Sequence, residues 1–280
     1  ISEERVAFSG TLDLTSPDHS LSGGFELDWE LNQRFPEVRA KLKSSYIEAP
    51  DFINVHWDPA KTTPVLTVSL GDFYIPELQS NPNLSRFRFS TDSIATLLPN
   101  NDLSISGKVK ELKSGLNLKI TGNYSSKGRL LLNYSLPVFF RDSFQPQRVF
   151  PDLKESVAGW EGSMVLSGSL LNKNGKFQIT NKIAIKNLSG FVYDTPVIDF
   201  NLNGACSVFP KIKTDTDYLL TIKKAGESLA LEQIRGHLTL SDTGISIREF
   251  TANLSGGKLS LNPTQFSIPN MSGTALFSID

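Results

Sequence analysis

Apolar and polar residues alternate with a period of two along most of this chain. Phe25, Leu27, Trp29 and Leu31 alternate with Glu26, Asp28 and Glu30. Phe177, Ile179, Ile183 and Ile185 alternate with Lys176, Gln178, Thr180, Lys182, Ala184 and Lys186. Ile198, Phe200 and Leu202 alternate with Asp199, Asn201 and Asn203. A period of two sends successive side chains to opposite faces of a strand, so each segment has one apolar and one wet face. The pattern predicts strands over 5–14, 23–31, 53–57, 64–70, 84–90, 103–111, 115–122, 128–136, 162–171, 175–187, 190–194, 197–208, 217–223, 229–241, 244–254, 257–261, 265–268 and 273–279.

Turn residues separate these runs. Gly23-Gly24, Lys113-Ser114-Gly115, Ser126-Lys127-Gly128, Asn174-Gly175 and Asp242-Thr243-Gly244 are the clearest. Asn-Gly between alternating runs signals a hairpin, here joining Leu166–Leu171 to Phe177–Thr180. Helical signals are few. Phe35–Tyr46 carries Pro36 in a first-turn position, Thr91–Leu98 has Asp92 as a cap, and Pro151–Ala158 suits one or two turns. Leu21-Ser22-Gly23-Gly24 recurs as Leu254-Ser255-Gly256-Gly257, and Asn187-Leu188-Ser189-Gly190 as Asn253-Leu254-Ser255-Gly256. These matches read either as stacked strand–turn modules or as chance in a chain rich in Asn, Ser and Gly.

The organisation that follows is a β part over 1–136, a Pro- and aromatic-rich connection over 137–160, and a second β part over 161–280 continuous with the first. The connection holds Pro137, Pro146 and Pro151 with Phe139, Phe140, Phe144, Phe150 and Trp160. It reads as a long connection held down by aromatics, or as a flap over an apolar groove.

Composition narrows the function. The 280 residues carry 28 Lys+Arg against 29 Asp+Glu, too balanced for a nucleic-acid binder. Hydrophobic content is 39%, a low share that long strands with a solvated outer face would produce. The lone cysteine, Cys206, sits at an alternating apolar position and reads as a buried small hydrophobe. No apolar run approaches the ~18 residues of a membrane-spanning helix. The chain opens on Ile1 and stops after a strand-like segment. It therefore reads as a piece of a longer protein, with any targeting signal elsewhere.

No sequence motif for nucleophilic, phosphate-binding, dinucleotide or zinc chemistry occurs. His19, His56 and His237 are far apart, with no partner at metal spacing. Asp215 and Asp217 lack the later Gly and Glu of a calcium loop. Six N-x-[ST] sequons, at Asn83, Asn123, Asn133, Asn187, Asn253 and Asn270, read as turn and strand-edge chemistry. The expectation is a non-enzymatic protein with no catalytic residue, metal or cofactor.

Two stretches carry a family resemblance. The first is FRFSTDSIATLLP, from Phe87 to Pro99, running into LSISGKV from Leu103. It reads as a strand, a short D-x-x-x-x-L-L turn of helix and then I-S-G-x-V. The second is ISIREFTANLSGGKLSL, from Ile245 to Leu261, and the closing MSGTALFSID resembles another, truncated entry into the strand–helix unit. Together they resemble the AsmA-like bridge-like lipid transfer proteins of Gram-negative envelopes. The resemblance implies a mainly β fold: an elongated, twisted, mostly antiparallel sheet folded into a U-shaped groove (a β-taco), with a few short helices. It implies a periplasmic protein anchored in the inner membrane outside this segment, carrying phospholipids between the two membranes. The implied partners are phospholipid acyl chains, the remainder of the parent chain and a small outer-membrane lipoprotein that extends the sheet; no nucleic acid is implied.

The strand pattern points the same way. One-faced strands must cover their apolar side with another sheet or with a ligand. An open groove lined by Phe25, Leu27, Trp29, Phe177, Ile179, Ile198, Phe200 and Leu202 would shield acyl chains. The competing expectation is a structural or adhesive β-solenoid or sandwich with a dry core and no lipid ligand.

Overall fold

The fold was obtained as a computed structural model. It describes the backbone of residues 5–16, 19–30, 37–44, 53–58, 65–75, 87–142, 144–149, 151–173, 176–267 and 277–279, and side chains from Val65 onward. The chain is mainly β, a twisted antiparallel open sheet with almost no helix. It forms two compact units, Ile1–Leu132 and Asn133–Asp280.

The first unit contains β1 (Arg5–Ser16), β2 (His19–Glu30), β3 (Glu37–Ser44), β4 (Ile53–Asp58), β5 (Val65–Phe73), β6 (Phe89–Leu97), β7 (Leu103–Glu111) and β8 (Asn117–Ser125). Each pairs antiparallel with the next. The register sets apolar positions against apolar positions: Leu27 faces Phe8 and Val38, and Val38 faces Val55. Along β7 half-buried and exposed residues alternate almost without exception, the mark of a sheet with one drier side. Leu70 and Phe73 form a small buried cluster with Phe89 and Val109 against it. A bidentate Arg88–Asp72 ion pair, 2.9 and 2.7 Å, braces the ends of β5 and β6 beside it.

Two expected helices are strands instead. The segment proposed over Phe35–Tyr46 contains β3, and the Thr91–Leu98 turn lies in β6. Isolated helices of this length are marginal. Pairing on both sides decides the matter at β6: Ala95 faces Leu66 on β5 and Ile105 on β7. Asp92 is therefore an outward strand residue opposite Lys108, not a helix cap.

β9 (Arg129–Phe140) begins in the first unit and ends in the second. The second unit continues with β10 (Val157–Lys173), β11 (Lys176–Val192), β12 (Thr195–Phe209), β13 (Lys213–Ala225), β14 (Leu231–Ser241), β15 (Gly244–Leu254) and β16 (Gly257–Leu261). β9 pairs with β10, and each later strand pairs antiparallel with its successor. Two short strands complete it: β17 (Thr264–Ser267) pairs with β15, and β18 (Phe277–Ile279) with β16. β10 and β11 pair as the hairpin pattern predicts, up to Lys173 facing Lys176, while Asn174-Gly175 lie outside the described residues.

The two NLSG matches are not structurally equivalent. At 253–256 the motif makes a tight hairpin, with Ser255 at φ 50° and Gly256 at φ 89°. At 187–190 it runs through a strand, with a register shift beside Asn187. Only the first is a strand–turn unit.

Candidate functional site

The registers of the second unit place one set of side chains on one side of the sheet. Ile183 faces Leu166, Ile185 faces Met164 and Leu202, and Leu202 faces Leu220. Ile222 faces Ile234, Leu238 faces Ile247, and Phe250 faces Leu261. The opposite side carries Ser167 against Lys182, Ala184 against Asn203, Thr221 against Arg235, and Asn253 against Lys258. One side is apolar across seven successive strands; the other is mixed, with Val165, Ala184 and Leu219 among its polar residues.

The apolar side is not a filled core. Ile183, Ile185, Phe200, Leu202, Leu220 and Ile222 are all half-buried rather than buried. The described elements of this unit are strands of one sheet and two short turns. Burial is reached locally, at Leu188, Cys206, Tyr218, Ile234, Ala252 and Leu261 among others. The buried Cys206, 6% exposed, is the small hydrophobe its phase predicts.

Aromatic rings supply much of that local burial by lying over glycines. A Cβ on Gly204 would collide with the Tyr218 ring, one on Gly168 with the Tyr134 phenol, and one on Gly190 with the Trp160 indole. Burial first, and the neighbouring Cys206 second, push the hydroxyls of both Tyr134 and Tyr218 above the usual phenol range.

The residues singled out by the sequence divide as follows. Phe200 faces Leu188, and Leu202 lies between Ile185 and Leu220, both within the apolar side. Ile179 faces Leu170 and Phe209, while Phe177 faces Asn172 at the hairpin end and is 46% exposed. Ile198 faces Lys224 and adjoins Asp199, whose φ of 54° accompanies a register shift against β11. It is thus at the margin of the apolar side. Phe25, Leu27 and Trp29 belong to β2, but their side chains lie outside the described residues.

Asn181 is the residue the alternation passed over. It holds the apolar phase between Ile179 and Ile183 and faces Gly168 and Cys206. Its signal was present in the sequence as a polar residue at an apolar position.

The Pro- and aromatic-rich segment is more ordered than a plain connection. β9 takes its first residues and β10 its last. Between them lie one helical turn, Pro146–Val149, and a 3-10 turn, Pro151–Glu155. Gln145 clasps Trp160: the Trp160 N–H donates to Oε1 at 2.8 Å, and Nε2 donates to the Trp160 carbonyl at 2.9 Å. The Phe140 and Phe144 rings meet at 6.2 Å. Val138, Trp160 and Leu188 are buried at this end of the unit.

Two depressions open on this unit: one of about 470 Å³ is lined by Leu219, Thr221, Arg235, His237, Glu249, Thr251 and Lys258, and another of about 400 Å³ by Asp199, Asn201, Thr221, Lys223, Gln233 and Arg235 together with Ile222 and Ile234. Neither is lined by a group of three His, Cys, Asp or Glu able to hold a metal, and none occurs among the described residues. No described helix is long and apolar enough to cross a membrane.

No family model matches the chain, and no curated protein or solved structure shows significant similarity to it.

Proposed function

We propose that this chain is a periplasmic segment of an intermembrane phospholipid transport protein. In this reading its apolar sheet side shields acyl chains between the inner and outer membranes. The observation that supports it is the aliphatic side of β10–β15, whose residues are half-buried rather than buried although they face one another across strand after strand. Such a surface in water carries a standing cost, relieved by any hydrocarbon that lies on it at about 0.8 kcal/mol per buried methylene. A dozen methylenes would contribute roughly 10 kcal/mol before the cost of ordering the chain. The contact is non-directional, which suits a conduit for varied acyl chains.

The likeness of the 87–109 and 245–261 stretches to AsmA-like proteins supplies the cellular setting. It implies an anchor and further sheet elsewhere in the parent chain, with a small outer-membrane lipoprotein as the partner at the sheet's end. Transport of this kind requires no catalytic residue.

A photo-crosslinking residue at position 200, and another at 201, tests the reading in protein purified with its native lipid. Phe200 belongs to the apolar side, whereas Asn201 is on the opposite side of the sheet, facing Thr221. Lipid should be captured at 200 and not at 201. Capture at neither, with no lipid extracted from the purified chain, would instead favour a structural sheet with a dry core.

A further inference from the structure

The apolar side of the second unit has a polar interruption. Phe177, Ile179, Ile183 and Ile185 keep the apolar phase of β11, and Asn181 stands in the middle of them. Its neighbour across β10 is Gly168, and the Tyr134 phenol occupies the space a side chain there would need: a Cβ would lie 2.5 Å from the phenol oxygen. The Tyr134 hydroxyl has two acceptors before it, the Thr180 carbonyl at 3.0 Å and Asn181 Oδ1.

A phenol has one proton to give. If Thr180 receives it, the Asn181 amide turns one N–H toward the phenol oxygen and keeps the other. If Asn181 receives it, the amide keeps both N–H groups. In either orientation at least one amide N–H has no acceptor among the described residues, on a side chain that is only half-buried. Hydrocarbon laid across this position would strip water from that N–H and return nothing. An occupant of this row therefore needs a hydrogen-bond acceptor as well as a chain.

We propose that Asn181 is a specificity contact for the carbonyl oxygen of an acyl ester, held in position by Tyr134. The inference rests on the acyl-chain reading above and narrows it to ester-linked chains. The flanking lining is aliphatic: Ile183, Ile185 and Leu202 on one side, Ile179 and Leu170 on the other. It cannot tell an ester from an ether, because methylenes look alike to it. Asn181 can, since an ester carbonyl is a far better acceptor than an ether oxygen.

The test compares dioleoyl phosphatidylethanolamine with its dialkyl-ether analogue of equal chain length. Each is offered in vesicles to the 280-residue chain, and the amount captured is titrated. Wild type should prefer the ester by about five- to tenfold, the size of one hydrogen bond. Asn181→Leu should capture both lipids equally, and Tyr134→Phe should lower the preference by freeing the amide to turn. Equal capture of both lipids by wild type overturns the inference while the acyl-chain reading stands. A preference that survives in Asn181→Leu also overturns it. Capture of neither lipid overturns the acyl-chain reading itself. The wild-type comparison does not depend on any variant folding.

Discussion

The ring of Tyr218 fills the space that any side chain at position 204 would need. Tyr218 is on β13 and Gly204 on β12, so the contact crosses from strand to strand within one face. Glycine in a strand interior forfeits packing and order, and an aromatic ring from the next strand restores the lost contact. The arrangement recurs with Tyr134 over Gly168 and Trp160 over Gly190. These rings are a source of burial supplied from within the sheet itself.

Gly204→Ala should therefore destabilise the second unit by about 1–3 kcal/mol, because the ring must leave its seat. Gly236 is the control. A Cβ there would meet Leu220 and Phe250 at an ordinary 3.6 Å, and the backbone needs no left-handed conformation. Gly236→Ala should be neutral or stabilising by up to about 1 kcal/mol. Urea denaturation of the two variants distinguishes them; equal losses would remove the argument from ring seating.

Tyr134 and Tyr218 should resist ionisation. Burial favours the neutral phenol, so both titrate above the unfolded value of about 10. The folded state then holds protons that the unfolded chain releases. This stabilisation is complete below about pH 10 and is lost as pH rises through the folded values. Absorbance at 295 nm should show phenolate appearing late, together with alkaline unfolding. Tyr218→Phe should make that unfolding shallower.

Glu111 behaves in the opposite sense. It is 5% exposed, and burial alone would raise its carboxyl. The Ser114 hydroxyl and N–H and the Lys113 N–H outweigh that effect and hold it below the usual carboxylate range. Its contribution is present above the unfolded value of about 4.3 and is lost as pH falls through the folded one. Glu111→Gln should cost about 1–2 kcal/mol at pH 7 and flatten the acid limb of stability against pH below about pH 4.5. An unchanged acid limb would show that the turn does not depend on the charge.

The strands were legible because alternation is a local property, and Phe177–Ile185 or Ile198–Leu202 declare it in a few residues. β6 was not, because Thr91–Leu97 mixes Asp, Ser and Ala, and only Leu66 and Ile105 on either side make it a strand. The apolar side of Phe200 and Leu202 was readable from phase alone. Ile198 was placed with them by the same phase, but the left-handed Asp199 and its register shift set it at the margin. Such a shift depends on the neighbouring strand and leaves little trace in one sequence. The ring–glycine seats were hidden for the same reason: each joins residues 14 to 34 positions apart, from Tyr218 and Gly204 to Tyr134 and Gly168.

Placing a carboxylate on the apolar side should separate a surface from a core. Leu70, in the buried cluster of the first unit, is 5% exposed, and Leu70→Asp leaves an unpaired charge away from water. That change should cost more than about 3 kcal/mol. Phe200 is half-buried, so an Asp there reaches solvent with only the lost ring contacts against it. Phe200→Asp should cost about 1–2 kcal/mol and leave the circular dichroism of the sheet intact. The same variant should lose most of its acyl-chain capture, because hydrocarbon cannot cover a carboxylate without stripping its water. If Phe200→Asp unfolds the chain as readily as Leu70→Asp, the apolar side is a closed core and the shielding of acyl chains fails with it.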